Sequence, residues 1–280
     1  AALLFGVSST GFAADTNHFK VAPGESYTVI VPTTDTVGRG KAALDFFYTY
    51  ADRPLEVVIG GTEEDLVRKQ HLLNAALTVG MGERGQISVT VPYSISQDSE
   101  IAGVDDSGIG DVIISAKYRF NEPSVRGAEF ATAKATGLGF AIAPYIQLPV
   151  GNEDAFMGAE SAAGGVRLII DAYTGGNLRF FFNAGYAYQD KEELVQIDID
   201  HSLLFGAGFT YLFTRNTFIS AEVYGRSEEL FESEHTPVEG IVSWGYENEN
   251  TSFVIGGGGG LVNGYGASGW RLFTGFRFGM

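Results

Sequence analysis

From Lys41 onward the chain repeats one design: a segment of about 10–14 residues alternates apolar with polar or small side chains, and a turn follows. The alternation predicts strands over 41–51, 66–81, 85–96, 108–121, 137–150, 162–174, 178–190, 200–213, 216–227, 237–248, 251–262 and 270–280. In the third, Ile87, Val89, Val91, Tyr93 and Ile95 fall on one face, with Gln86, Ser88, Thr90 and Ser94 on the other. In the eighth, Leu203, Phe205, Ala207, Phe209, Tyr211 and Phe213 oppose Ser202, Gly206, Gly208 and Thr210. A period of two puts such sets on opposite faces of a sheet.

Cost decides which face points where. Twelve strands closed with their apolar faces inward would enclose more space than Leu and Phe could fill, since about eight strands already suffice for a packed interior. Turning the apolar faces outward to lipid and the polar or Gly faces to a lumen removes that difficulty, and closure satisfies every backbone group. The predicted fold is therefore an all-β, antiparallel, up-and-down transmembrane β-barrel of about twelve strands.

Connection lengths predict an orientation. Gly82-Glu83-Arg84-Gly85, Gly175-Gly176-Asn177, Thr214-Arg215 and Glu249-Asn250 are short turns, whereas Gly61–Asp65, Gln97–Asp106, Asn152–Glu160, Gln189–Asp200 and Glu228–Glu234 are long and acidic. Outer-membrane barrels keep short turns in the periplasm, so both chain ends are expected there. The long connection from Asn121 to Thr136 falls on the short-turn side and breaks the rule. Two aromatic girdles are expected, with Tyr118, Phe120, Tyr173, Tyr211, Phe213, Phe276 and Phe278 at the inner interface. The outer girdle would hold Tyr48, Tyr50, Tyr93, Tyr186 and Tyr188.

Composition narrows the function classes. The formal charge of −16 opposes nucleic-acid binding, which needs Lys and Arg against phosphate. With no cysteine, thiolate metal sites and disulfides are excluded, and neither metal nor cofactor is expected. Residues 1–14 read as the remnant of a secretory signal ending at Phe12-Ala13-Ala14, and 15–40 as a periplasmic segment ahead of the barrel at 41–280.

Projected inward, the alternation gives a mixed-charge lumen. Its acids are Asp45, Asp111, Asp171, Glu222 and Glu239; its bases are Lys117, Arg119, Arg167, Arg179, Arg226, Arg271 and Arg277. Asn74, Thr78, Tyr145, Gln147 and Asn183 lie between them. Charges paired across the lumen would fill it and leave a structural anchor or narrow, occluded channel. Charges in separate rows would line a hydrophilic pore for small solutes. Catalysis has little to draw on: of the four histidines, His201 is followed by Ser202 on the opposite strand face, and no enzyme is expected. The expected partners are outer-membrane lipid and lipopolysaccharide, with a periplasmic or cell-envelope protein if the barrel is an anchor.

The run Gly108-Ile109-Gly110-Asp111-Val112-Ile113-Ile114-Ser115-Ala116-Lys117-Tyr118 resembles a strand shared by two groups of outer-membrane barrels. These are the N-terminal barrels of OmpA-like proteins and the family named after the MetA pathway of phenol degradation. Leu148-Pro149-Val150-Gly151-Asn152-Glu153 and Asn183-Ala184-Gly185-Tyr186 are similar to later strands of the same groups, in the same order. Ala51-Asp52-Arg53-Pro54-Leu55 and Gly264-Tyr265-Gly266 resemble the OmpA-like version. The resemblance implies a barrel over almost the whole chain, and, from the phenol-related group, uptake of small, often apolar molecules. It supplies no catalytic residues.

Overall fold

A computed structural model describes residues 19–59, 62–99, 107–121, 136–152, 157–194, 197–227, 236–248, 250–262 and 267–279. Its strands are β1 (Ala42–Ile59), β2 (Thr62–Met81), β3 (Gly85–Asp98), β4 (Gly108–Ile109), β5 (Val112–Arg119), β6 (Thr136–Leu148) and β7 (Ala163–Thr174). They continue as β8 (Leu178–Leu194), β9 (Ile197–Leu212), β10 (Thr217–Ser227), β11 (Val238–Glu247), β12 (Thr251–Val262) and β13 (Trp270–Gly279). Each is antiparallel to its neighbours, and β1 pairs with both β2 and β13 (Ala42 opposite Val79, Ala43 opposite Gly279), so the sheet closes. The short β4 and β5 both pair with β3 and are two pieces of one strand, interrupted where the Asp111 N–H turns to Met157 O at 3.0 Å. The result is a closed twelve-stranded antiparallel barrel, as the alternation predicts.

Two hairpins run longer than expected. β1 and β2 have 18 and 20 residues, and β8 has 17, against the roughly 9–11 that cross a bilayer. Alternation stops at Arg53-Pro54 in the sequence because β1 carries a register shift there, with Arg53 at φ 46°; beyond it, pairing resumes. Thr62 to Asp65, expected in a loop, are paired with Ile59 to Glu56.

The outer face is apolar along every strand. Leu77, Val89, Phe140, Leu168, Phe182, Val242, Leu272 and Phe276 are among many large side chains exposed there. An uninterrupted apolar belt of this kind marks a lipid-contacting surface. Tyr48 Oη meets His71 Nδ1 at 2.6 Å, and Tyr186 stacks with His201, whereas Ser202 is buried on the other face. Most of the expected girdle aromatics are exposed or half-exposed, but Tyr173 is buried inside the barrel. It follows Arg167, Ile169 and Asp171 on the inner face of β7, and the strand's phase outweighs Tyr173's position near an end.

The inner wall is partly apolar too. Phe47, Phe181, Phe218 and Phe273 point inward, each directly opposite a glycine on the next strand: Gly275, Gly208, Gly245 and Gly256. A Cβ at any of these glycines would run into the ring, so the bare backbone is the seat of the phenyl group.

Candidate functional site: a charged lumen entered by the N-terminal segment

Residues 19–37, part of the 15–40 segment expected to lie outside the barrel in the periplasm, instead run into its lumen. The segment folds back on itself, with the Ala22 N–H donating to Val29 O at 2.8 Å, and turns at Gly24 (φ 69°). Its apolar side chains explain the placement. Phe19, Val21, Tyr27, Val29, Ile30 and Val31 are all at most 6% exposed and pack with Phe47, Phe181, Phe218 and Phe273 in one cluster. In water these six would be exposed; inside, they complete a core. Tyr27 meets Phe218 edge to face at 5.2 Å between centroids, and Phe19 lies 5.4 Å from Phe273.

The wall's polar groups hold the backbone of this plug. The amides of Val29, Ile30 and Val31 all donate to the Glu222 carboxylate, each at 2.8 Å. Asp171 accepts from the Thr34 amide at 2.8 Å and from its hydroxyl, and also pairs with Arg179. Arg179 reaches Asp35 at 2.8 Å through its other nitrogen and lies over the Tyr173 ring at 5.1 Å. Lys117 bridges Glu25 (2.6 Å) and Thr33 O (3.0 Å). The Gly24 amide donates to Asp45 at 2.8 Å, and Arg277 donates to Thr28 O at 2.7 Å while lying over Phe47 at 4.8 Å. Asn183 donates to Pro32 O at 3.0 Å. Gly139 and Gly206 give the plug room, because Thr34 and Val31 sit where their side chains would be.

Each sequence-selected lumen residue can now be placed. Asp45, Asp111, Lys117, Arg119, Asp171, Arg179, Glu222, Glu239, Arg271 and Arg277 are buried, and Arg167 and Arg226 are half-buried. Their partners differ from a simple pairing across the lumen. Arg179 meets Asp171, but Glu222 is satisfied by plug amides and Lys117 by Glu25 of the plug. Asp111 faces Gln147 Nε2 (2.9 Å) and the amides of Gly151 and Ala159, which fixes the chain after β6. Glu239 accepts from Arg271 at 3.0 Å, from Ser268 and from the Tyr224 hydroxyl, and Arg271 covers the Phe19 ring. Arg119 reaches Glu83 O at 3.4 Å in the first short turn.

The plug divides the remaining space. A cavity of about 470 Å³ opens at the short-turn end, between plug residues 24–26 and 35–39 and the ends of β1, β12 and β13. A second, of about 170 Å³, lies between the plug and the wall from β3 to β10. No group of three or more metal-ligating side chains is present among the described residues. The predicted signal remnant at 1–14, the connection from 122 to 135, and the acidic pairs Asp105-Asp106, Glu153-Asp154 and Glu228-Glu229 lie outside the described residues.

A closed antiparallel barrel with an apolar outer belt and a polar interior is the architecture of transmembrane β-barrels. Comparison with solved structures agrees. An outer membrane channel from Pseudomonas putida F1 superposes with a TM-score of 0.68 at 13% identity, covering 93% of this chain and all of that one. NanC porin (TM-score 0.55, 9% identity) and KdgM porin in complex with disordered oligogalacturonate (0.53, 11%) each cover 84% of this chain and 98% of their own. At these identities the likeness is one of fold. The family described as MetA-pathway of phenol degradation matches residues 63–194, somewhat under half of the chain. The family match and the neighbours named above do not show the OmpA-like part of the resemblance, and among curated proteins none matches.

Proposed function

We propose that the protein is a narrow outer-membrane channel held occluded by its own N-terminal segment, with the short-turn end toward the periplasm. The observation that carries this reading is the plug: residues 19–37 occupy the lumen, yet they are held by side-chain packing, hydrogen bonds and ion pairs rather than by strand pairing. Such a segment can shift without opening the barrel wall. The short connections at the end shared by the start of β1 and the end of β13 support the orientation. The apolar belt would contact outer-membrane lipid, with lipopolysaccharide around the long-loop end. Names of the structural neighbours, an outer membrane channel and two porins, fit a channel role. The family match over 63–194 favours, as a second reading, small apolar or aromatic molecules as the solutes.

A disulfide lock tests the plug. The chain has no cysteine, and a Cβ at Gly139 would lie 3.4 Å from Thr34 Cβ, close to the roughly 3.5–4.5 Å that disulfides span. In planar bilayers the Thr34→Cys/Gly139→Cys barrel should lose current on oxidation and recover it on reduction. Current indifferent to the lock would remove the plug as the gate. Silence in both states would remove the channel and leave the anchor.

A further inference from the structure

The 170 Å³ cavity beside the plug has a charge unlike the rest of the molecule. The protein carries a formal charge of −16, yet this cavity is lined by Lys20, Lys117, Arg167 and Arg226 against one carboxylate, Glu25, among the described residues. Glu25 is already engaged by Lys117 at 2.6 Å and by the Thr33 hydroxyl. Arg167 lies over the Tyr145 ring, 5.6 Å from its centroid, and has no carboxylate partner among the described residues. The pair is built into the wall: Tyr145 and Arg167 occupy the space above Gly165 and Gly185, where a Cβ would come within 2.8 Å of the Tyr145 ring or Arg167 Cγ. Leu204 and Ile113 of the inner wall, with Ile30 and Val31 of the plug, supply an apolar side to the same cavity.

We infer that this cavity is a binding site for a small organic anion, a carboxylate carried on an apolar body about the size of one aromatic ring. The carboxylate is set by Arg167 and its cationic neighbours, because a guanidinium forks onto two carboxylate oxygens. The body is set by the volume, since an apolar cavity of about 150 Å³ is enough for benzene. A neutral ring compound would leave Arg167 without a counter-charge, and a bare inorganic anion would leave the apolar side empty. The site deepens the channel reading and rests on it only for how the anion arrives.

The test is calorimetric titration of the full chain, purified in a neutral detergent, with benzoate, benzyl alcohol and acetate. Benzoate should bind about tenfold more tightly than either of the others, and Arg167→Gln should weaken benzoate by about tenfold while leaving benzyl alcohol unchanged. Should Arg167→Gln fail the heat-shift test of folding on unheated gels, Arg167→Lys, which keeps the charge but loses the two-pronged fork, takes its place with a several-fold loss of benzoate affinity expected. Equal affinity for benzoate and benzyl alcohol, or benzoate binding untouched by the folded variant, would overturn the proposal. Because binding is read on the closed barrel, the two hypotheses fail separately. Lock-dependent current without benzoate binding removes the site alone, and benzoate binding without lock-dependent current removes the plug-gated channel alone.

Discussion

The lumen has two regions built from the same alternation, and they are finished differently. Around Phe47, Phe181, Phe218 and Phe273 the wall is met by Phe19, Tyr27, Val29 and Val31 of the plug, and every one of these side chains is at most 3% exposed. Around Tyr145 and Arg167 the plug stands off from the wall and leaves a volume of about 170 Å³. In the first region, inward charges are desolvated and each has a specific partner. In the second, cations remain half-buried. An inward position on a barrel strand is therefore not an environment in itself. What the lumen segment covers decides whether an arginine is structural or available.

The sharpest way to break this comparison is to treat an arginine in each region alike. Arg179, 1% exposed, holds Asp171 and Asp35 together and sits on Tyr173. Arg179→Met leaves two carboxylates without their cation in a closed space, and removing one partner of a buried pair costs about 3–5 kcal/mol. Urea unfolding in lipid vesicles, followed through Trp244 and Trp270, should show a loss of that size. A loss below about 1 kcal/mol would mean that water reaches this level of the lumen, and that the filled region is not filled.

Much of this architecture is legible in the sequence, and the exception has a physical cause. Strand positions, closure and the inward set follow from a period of two, which is local and repeated; Asp45, Glu222 and Arg277 could be assigned inward from their neighbours alone. Residues 19–37 have no such period. They include Pro23 and Pro32 and make no ladder with any strand, so no local rule tells whether they lie inside or outside. Two signals pointed inward nonetheless. One is the apolar content of Tyr27, Val29, Ile30 and Val31 in a stretch assigned to water. The other is a twelve-stranded lumen too wide for its own side chains. The partners of Glu222 were out of reach for the same reason, because they are backbone amides of a segment placed elsewhere. The 170 Å³ cavity was equally hidden, since it exists only as the space the plug leaves.

Glu222 sharpens the comparison from the plug side, with an effect of intermediate size. Its two oxygens accept three amide hydrogens, those of Val29, Ile30 and Val31. Glu222→Gln keeps the shape but replaces one acceptor by an NH₂ group facing N–H donors, leaving a buried donor unsatisfied at about 1–3 kcal/mol. That cost should fall on the plug rather than on the wall. Hydrogen exchange at Val29 to Val31 is expected to rise by roughly tenfold or more, while the β10 amides of Ser220 and Ala221 keep their protection. Parallel loss in both places would show that plug and wall open as one unit, which would count against a plug that moves alone.

The smallest effect should come from the open region. Arg167 sits on the same kind of inner face as Arg179, but it is half-buried, with a ring contact and no acidic partner among the described residues. Arg167→Met, the same substitution made at Arg179, removes a cation–π contact of about 0.5–1 kcal/mol and strands no carboxylate. Unfolding of this variant should stay within about 1 kcal/mol of the parent. The two arginines share residue type, strand face and wall, so the difference between their costs measures the plug's cover directly. If Arg167→Met destabilised the barrel as much as Arg179→Met, the cavity would be a structural joint like the rest of the lumen, and its cations would have no room for a ligand.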